Sequence, residues 1–160
     1  FNNIGQPNRT FRVRDGGVLE PVALSAALEA DGLGTGAAVA DMDGDGVLDL
    51  LVAHGESAPQ PLSLFRAAID GPGRYLRIAP LTGQGAPARG ATVILETDMR
   101  VHAKTIDAGS GYLCQMEPVV HYGLRDGEMV KSVKVRWTDG TETGLGEMAE
   151  NKTHIIRKDG

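Results

Sequence analysis

Apolar residues occur in short runs along the chain, and several of these runs alternate polar with apolar side chains. A period of two places alternate side chains on opposite faces of a half-buried strand. Gly and Pro, 22 and 8 in number, separate the runs as turn residues do. The pattern therefore predicts β-strands at residues 11–13, 36–40, 48–54, 62–66, 75–80, 92–96, 101–107, 119–123, 131–137 and 153–157.

Helical spacing is found at residues 21–30. Leu24, Ala27 and Leu28 would share one face of a helix there, and Gly32 follows the stretch as a helix-ending residue does. A helix this short serves as a connector. The predicted fold class is therefore all-β.

The single tryptophan, Trp137, ends one of the predicted strands. Val133 and Val135 share its face because they alternate with polar residues on that strand. We expect these three side chains to be buried. Asp139 and Gly140 follow as a hairpin turn that leads into residues 141–143.

Charge changes along the chain at a segment of turn residues, AIDGPG at 68–73. Residues 1–70 carry 4 basic and 10 acidic side chains, a balance of −6, whereas residues 71–160 carry 12 and 11, a balance of +1. The coincidence predicts two domains, 1–70 and 71–160. An acidic first half without a basic stripe argues against nucleic acid and anionic membranes as partners, because both need clustered Lys and Arg. A cation is the natural partner instead.

Two further features bear on the class of protein. The single cysteine, Cys114, cannot form an internal disulfide, and we interpret it as a small buried apolar residue. The chain begins at Phe1 and has no apolar run of the length of a signal peptide or a membrane span. We expect a processed or excised soluble piece without membrane insertion.

The strongest chemical signal is the sequence DMDGDGVLD at residues 41–49, which we call the aspartate loop. Calcium binds about six to eight oxygen ligands, and alternate side chains of a tightly curled loop can converge on one ion. Gly46 permits the left-handed backbone that curls such a loop. Four carboxylates this close repel one another unless a cation lies among them. The predicted calcium ligands are the side chains of Asp41, Asp43, Asp45 and Asp49 and the carbonyl of Val47.

The aspartate loop differs from an EF-hand loop, whose twelfth position is a bidentate Glu and whose flanks are helices. The twelfth position here is Val52, and the residues that follow the loop are apolar and typical of a strand. We therefore predict that the ninth position, Asp49, closes the site.

Residues 37–55 resemble an FG-GAP/VCBS repeat, the calcium-looped blade unit of integrin-type β-propellers. The resemblance rests on the aspartate loop, on Gly34-Thr35-Gly36 before it and on the apolar strand after it. Thr35-Gly36 stands where that family has Phe-Gly. The resemblance implies that residues 1–66 form the end of one blade and most of the next, and a single blade cannot close a ring.

The second half resembles the ASPIC/UnbV domain through four motifs in the family's order. They are Ala88-Arg89-Gly90-Ala91, Gly109-Ser110-Gly111-Tyr112-Leu113, His121-Tyr122-Gly123-Leu124 and Val135-Arg136-Trp137-Thr138-Asp139-Gly140. Cys114, Tyr122 and Thr138 depart from the residues common in that family. The two modules adjoin in this order in the cartilage acidic protein family and its bacterial relatives. The resemblance implies that residues 71–160 form an antiparallel β-sandwich or barrel-like domain.

The aspartate loop and the absence of a convergent catalytic set predict a calcium-binding, non-catalytic module, and the combined resemblance implies a role in adhesion or recognition. Such a module would be secreted or at the cell surface, and periplasmic or extracellular in a bacterium. Calcium is the expected cofactor. The expected partners are a protein or matrix component and the missing propeller blades of a longer parent chain.

An enzymatic alternative uses polar groups of the second half. Asp107, Ser110 and His121 would act in a cleft between the two halves, as in an accessory domain of a hydrolase or lyase. The residues around Ser110 do not fit a nucleophile elbow, because Ala108 and Tyr112 stand where that motif needs Gly. The four histidines, His54, His102, His121 and His154, lack the short paired spacing of a zinc site.

Two segments, at Asn8 and Asn151, fit the N-glycosylation acceptor pattern. The pattern has meaning only in a eukaryotic secreted protein. The sequence alone leaves their modification open.

Overall fold

β-Strands form almost all of the regular structure in the computed structural model, which describes residues 1, 3–23, 25–55, 58–67 and 73–159. The helical segments among these residues are two short 3-10 turns, Asp15–Gly17 and Ser25–Leu28. No helix among the described residues has the length and apolar character needed to cross a membrane. The prediction of an all-β fold is confirmed.

Residues 21–30 do not form the predicted connector helix. Pro21 and Val22 belong to a strand, Ser25–Leu28 forms a 3-10 turn, and Leu24 lies outside the described residues. Ser25 and Glu29 have φ angles of 49° and 41°, a left-handed backbone that interrupts a right-handed helix. The prediction was wrong because a few apolar residues at helical spacing do not offset the cost of nucleating a helix in so short a segment.

The described residues divide into two compact units. The first contains residues 1–40, 48–67 and 110–115, and the second contains residues 41–47, 73–109 and 116–159. Residues 41–47 of the aspartate loop therefore belong to the second unit. The predicted boundary falls on residues 68–72, which lie outside the described residues, so the division at residue 70 stays a prediction.

The first unit consists of a two-stranded hairpin and a three-stranded sheet, both antiparallel. Its strands, in chain order, are β1 (Thr10–Val13), β2 (Leu19–Val22), β3 (Gly34–Ala40), β4 (Asp49–His54) and β5 (Ser63–Phe65). The hairpin pairs β1 with β2, and β4 is the central strand of the sheet. The aspartate loop connects β3 to β4.

The second unit contains two sheets around one apolar core. Its strands, in chain order, are β6 (Tyr75–Leu81), β7 (Thr92–Thr97), β8 (Val101–Thr105), β9 (Val120–Gly123), β10 (Val130–Arg136), β11 (Glu142–Gly146) and β12 (Thr153–Arg157). The three-stranded sheet has the order β12-β6-β9, and the four-stranded sheet has the order β11-β10-β7-β8. Within the described ranges neither sheet closes on itself.

Trp137 lies in the core of the second unit, as predicted. Val133 and Val135 are buried in the same cluster, and the indole Nε1–H of Trp137 donates to Thr143 Oγ1 at 2.8 Å. The Trp137 N–H donates to the Thr141 carbonyl at 2.9 Å across the predicted turn, where Gly140 has a φ of 86°. The buried strand and its hairpin turn are confirmed.

One pair of strands is parallel, contrary to the predicted antiparallel domain. β12 pairs with β6, with Thr153 opposite Arg77 and Arg157 opposite Leu81. The alternation of apolar residues shows which face of a strand is buried and carries no information about the direction of its neighbour. A tight hairpin imposes an antiparallel pair, and β6 and β12 are too far apart in the chain for that constraint to act.

Candidate metal centre

Two glycines allow the aspartate loop to curl. Gly44 and Gly46 have φ angles of 79° and 87°, in the left-handed region that glycine adopts at low cost. A Cβ at Gly46 would lie 2.2 Å from Cδ1 of Tyr75 and 2.8 Å from the Gly73 carbonyl oxygen. The loop backbone therefore approaches the start of β6 more closely than any residue with a side chain would permit.

The aspartate side chains accept hydrogen bonds from the backbone of their own loop. Oδ1 of Asp41 accepts from the Gly44 N–H at 2.9 Å, and its Oδ2 accepts from the Gly46 N–H at 3.2 Å. Oδ1 of Asp43 accepts from the Asp45 N–H at 3.3 Å. Oδ1 of Asp45 accepts from the N–H of the second residue after it, at 2.8 Å. These bonds hold the three carboxylates in fixed positions relative to the backbone.

Three carboxylates of the loop come close enough to share one ion. One oxygen from each of Asp41, Asp43 and Asp45 lies within 4.8 Å of the other two. Calcium binds oxygen at about 2.3–2.6 Å, so two ligands of one ion are at most about 5 Å apart. The donor set consists of oxygen atoms, which suits a hard cation. These residues therefore fit the predicted metal.

Asp41 also forms a buried ion pair. Its Oδ2 lies 3.3 Å from Nη1 of Arg77, a β6 residue that is only 8 % exposed. Nη2 of Arg77 donates to Oε2 of Glu117 at 2.5 Å. The guanidinium therefore lies between the carboxylate of the loop and a second carboxylate of the same unit.

Tyr75 and His121 complete the surroundings of the loop within the second unit. Their rings are stacked, with centroids 5.6 Å apart and planes 10° from parallel, and His121 forms a hydrogen bond with the Gly46 backbone. Burial lowers the pKa of His121, and the charge of Arg77 acts in the same direction, against the smaller raising effect of Asp41. A largely neutral imidazole thus lies beside the aspartates.

The sequence did not reveal the role of Arg77. It stands between Leu76 and Ile78 on β6, where a polar residue within an apolar run is normally interpreted as solvent-facing. Both neighbours are fully buried, and Arg77 is nearly so. Its cross-strand position opposite His121 could be known only from the pairing of β6 with β9.

The other two predicted ligands lie at the end of the loop. Val47 is half-buried, and its carbonyl was predicted to face the ion. Asp49 begins β4 opposite Ala40 and is 5 % exposed. The parts of Val47 and Asp49 in metal binding stay predictions.

Comparison with known proteins identifies the second half of the chain. The family model described as "ASPIC and UnbV" matches residues 81–160, half of the sequence. This chain belongs to the ASPIC and UnbV family. The resemblance of its four motifs to ASPIC/UnbV is thereby confirmed, and the FG-GAP/VCBS assignment of residues 37–55 stays a prediction.

Three relatives extend the similarity over nearly the whole chain. Cartilage acidic protein 1 of Mus musculus is 46 % identical over 165 residues, which cover 98 % of this chain and 25 % of that protein. Cartilage acidic protein 1 of Homo sapiens is 50 % identical over 149 residues, covering 88 % and 22 %, and that of Xenopus tropicalis is 48 % identical over 149 residues, covering 88 % and 23 %. The ASPIC/UnbV chain spans about a quarter of the length of these relatives.

Residues 110–113 of the ASPIC/UnbV motif Gly109–Leu113 belong to the first unit and end in an exposed turn. Tyr112 and Leu113 are 60 % and 79 % exposed, and Leu113 has a φ of 52°. Cys114, which follows, is half-buried and not buried as predicted. Its Cβ packs over Gly36, where an added Cβ would lie 3.2 Å away. The turn therefore presents two large apolar side chains to solvent.

The side chains of the enzymatic alternative have structural contacts. Oδ1 of Asp107 accepts from the Gly109 N–H at 2.8 Å in a tight turn. His121 stacks on Tyr75 beside the aspartate loop. Ser110 belongs to the first unit, whereas Asp107 and His121 belong to the second.

The two glycosylation acceptors of this ASPIC/UnbV chain differ in accessibility. Asn151 is exposed, whereas Asn8 is buried. Nδ2 of Asn8 donates to the Ala27 carbonyl at 3.1 Å and to Oε2 of Glu29 at 3.0 Å. A glycan on that nitrogen would replace one of the hydrogens that these bonds use. The geometry is compatible with modification at Asn151 and incompatible with it at Asn8.

Proposed function

We propose that this chain is a calcium-binding, non-catalytic recognition module of an extracellular protein. The observation that carries the proposal is the convergence of the Asp41, Asp43 and Asp45 carboxylates within 4.8 Å. Two left-handed glycines and the hydrogen bonds of the loop hold this arrangement. A cation placed there would offset the mutual repulsion of the three charges.

Calcium suits this loop better than zinc or magnesium. The proposed ligands are the carboxylates of Asp41, Asp43 and Asp45, the Val47 carbonyl and, as the closing ligand, Asp49. Zinc favours nitrogen and sulfur in a tetrahedral arrangement, and magnesium needs a near-ideal octahedron and gives up its water reluctantly. An irregular loop of oxygen donors is typical of calcium sites. When bound, the ion would hold the loop rigid and would take no part in a reaction.

The extracellular role rests on the relatives. They are named cartilage acidic protein 1, and cartilage consists largely of extracellular matrix. From this name we infer a secreted or cell-surface location and a matrix or protein partner for this chain. The exposed side chains of Tyr112 and Leu113 supply a contact surface of the kind that protein partners bury.

The first unit has features of one part of a larger β-assembly. Its buried apolar side chains, among the described residues, are Ala27 and Val52. Leu62, next to the edge strand β5, and Leu64, within that strand, are exposed. Such a thin core favours packing of this unit against further propeller blades of a longer chain, as the FG-GAP/VCBS assignment implies.

Saturating calcium should raise the melting temperature of the protein, because the loop ligands are organised only in the folded state. At a free calcium concentration about 100 times the dissociation constant, the gain in free energy of unfolding is about 2.7 kcal/mol. The measurement is thermal unfolding in calcium and in chelator at the same ionic strength.

Two alanine variants serve as test and control for this stabilisation. Asp43→Ala removes an exposed carboxylate of the loop and should lose most of the calcium-dependent shift. Asp139→Ala removes a carboxylate of the hairpin turn that bonds Thr141 and Lys158, and it should keep the full shift whatever its own melting temperature. Identical melting curves of the parent in calcium and chelator would sink the proposed function.

A further inference from the structure

Arg77 forms an ion pair with Asp41, one of the proposed calcium ligands. Its Nη1 lies 3.3 Å from Oδ2 of Asp41, whose side chain is completely buried. The Nε atom of Arg77 is itself buried and has no hydrogen-bond partner among the described residues. The guanidinium is therefore nine-tenths buried beside the loop, and one of its N–H groups makes no hydrogen bond among the described residues. An apolar residue at this position of β6 would avoid the cost of burying that group.

A bound ion and Arg77 would share one carboxylate. Both oxygens of Asp41 already accept backbone N–H groups of the loop, from Gly44 and Gly46, so its orientation is fixed. An ion bound by this carboxylate would lie a few ångströms from the guanidinium. Like charges repel strongly at such distances where water is largely excluded.

We propose that Arg77 sets the calcium affinity of the aspartate loop by opposing the ion, and that Glu117 moderates this opposition. Arg77 holds Asp41 in place through the ion pair, and its charge lowers the affinity for a second cation. Glu117 neutralises part of that charge through its 2.5 Å bond to Nη2. The inference rests on the proposed calcium site and assigns the regulation of its affinity to two residues outside the loop.

Loss of Arg77 should strengthen calcium binding for two reasons. The repulsion between guanidinium and ion disappears, and Asp41, left buried without its cationic partner, gains more from the ion than before. We expect Arg77→Gln to bind calcium at least about tenfold more tightly than the parent, which corresponds to about 1.4 kcal/mol. A residue that merely supported the loop would have the opposite effect, because a loosened loop binds more weakly.

Glu117 should act in the reverse direction. Its side chain is 41 % exposed, so solvent screens its charge more than that of the buried pair. Glu117→Gln leaves the guanidinium less neutralised. We expect calcium binding to weaken by about two- to threefold, less than one factor of ten because of this exposure.

The test is calorimetric titration of calcium chloride into the parent chain, Arg77→Gln, Arg77→Lys and Glu117→Gln at one ionic strength. The expected order of affinity is Arg77→Gln above the parent, and the parent above Glu117→Gln. Arg77→Lys retains the charge and should remain closer to the parent than Arg77→Gln does.

The outcomes separate this inference from the proposed function. Absence of calcium binding in all four proteins would refute the proposed function and the inference with it. A parent that binds calcium, with Arg77→Gln equal to it or weaker, would refute the inference alone. If Arg77→Gln fails to fold, Glu117→Gln still decides, since unchanged or tighter binding by that variant would contradict the role assigned to the pair.

Discussion

Replacing Glu128 with alanine is expected to lower the free energy of unfolding by about 3–5 kcal/mol, the usual cost of removing one partner of a buried ion pair. The Glu128 carboxylate is completely buried in the second unit. Oε1 accepts from Thr97 Oγ1 at 2.9 Å and from Nε of Arg100 at 2.6 Å, and Oε2 accepts from Nη2 of Arg100 and from the Arg125 N–H. Alanine would remove the acceptor of Arg100 Nε and of the Arg125 N–H. Arg100 Nη2 and Thr97 Oγ1 would keep only their second acceptors, the Gly123 and Arg100 carbonyls.

Acidic pH should remove the stabilisation that the Glu128 carboxylate provides. Burial alone would raise the pKa of Glu128, but its hydrogen bonds with Arg100, Arg125 and Thr97 outweigh burial and lower that pKa to about 2. A lowered pKa means that the contribution is complete above the unfolded-state value of 4.5 and is lost as the pH falls toward 2. The shift corresponds to about 3 kcal/mol.

Urea unfolding at neutral and acidic pH measures both effects. Glu128→Gln keeps the shape of the side chain and should lose the part of the acid sensitivity that this carboxylate causes. Glu147→Ala, a change at an exposed glutamate, should stay within about 0.5 kcal/mol of the parent. A Glu128→Ala protein as stable as Glu147→Ala would contradict the role assigned to this ion pair.

Gly46→Ala should destabilise the protein by about 2–5 kcal/mol and abolish calcium binding. The left-handed backbone costs a residue with a side chain about 1–2 kcal/mol, and overpacking adds about 1–3 kcal/mol. The added Cβ would lie 2.2 Å from the Tyr75 ring and 2.8 Å from the Gly73 carbonyl oxygen. Backbone and ring cannot both keep their positions, so the loop must shift away from β6.

Gly44→Ala is the matched control in the same loop. Gly44 also has a left-handed backbone, but an added Cβ there meets no described atom within 4 Å. The free energy of unfolding of this variant should therefore fall only by the cost of the left-handed backbone, about 1–2 kcal/mol. Urea unfolding of the two variants isolates the contact with Tyr75, and equal losses of stability would show that this contact does not constrain the loop.

The strands could be predicted from the sequence because a strand with one buried face alternates apolar and polar residues. Val133, Val135 and Trp137 alternate with polar residues, and the structure buries all three. The choice and direction of a neighbouring strand produce no such pattern, so the parallel pairing of β12 with β6 was not predicted. The helix predicted for residues 21–30 does not form, because apolar residues at helical spacing do not by themselves offset the free-energy cost of helix nucleation.

The candidate site also contains a part that the sequence predicts and a part that it does not. Asp41, Asp43 and Asp45 are neighbours in the chain, and alternation with glycines is enough to predict that their carboxylates converge. Arg77 reaches Asp41 from 36 positions away, and its polar side chain carries no sign of its partner. Contacts of this kind depend on strand pairing, which a local pattern cannot specify.

Calorimetric titration of calcium into the parent and into Asp45→Ala tests the central claim most directly. Asp45 is exposed, so its loss should spare the fold and remove one of the three converging carboxylates. The parent should bind one calcium ion more tightly than zinc, and Asp45→Ala should bind calcium at least about tenfold more weakly. Asp126→Ala, a change at an exposed aspartate outside the loop, should match the parent. A parent that shows no binding heat, or an Asp45→Ala protein that binds calcium as the parent does, would contradict the assignment of the aspartate loop as a calcium site.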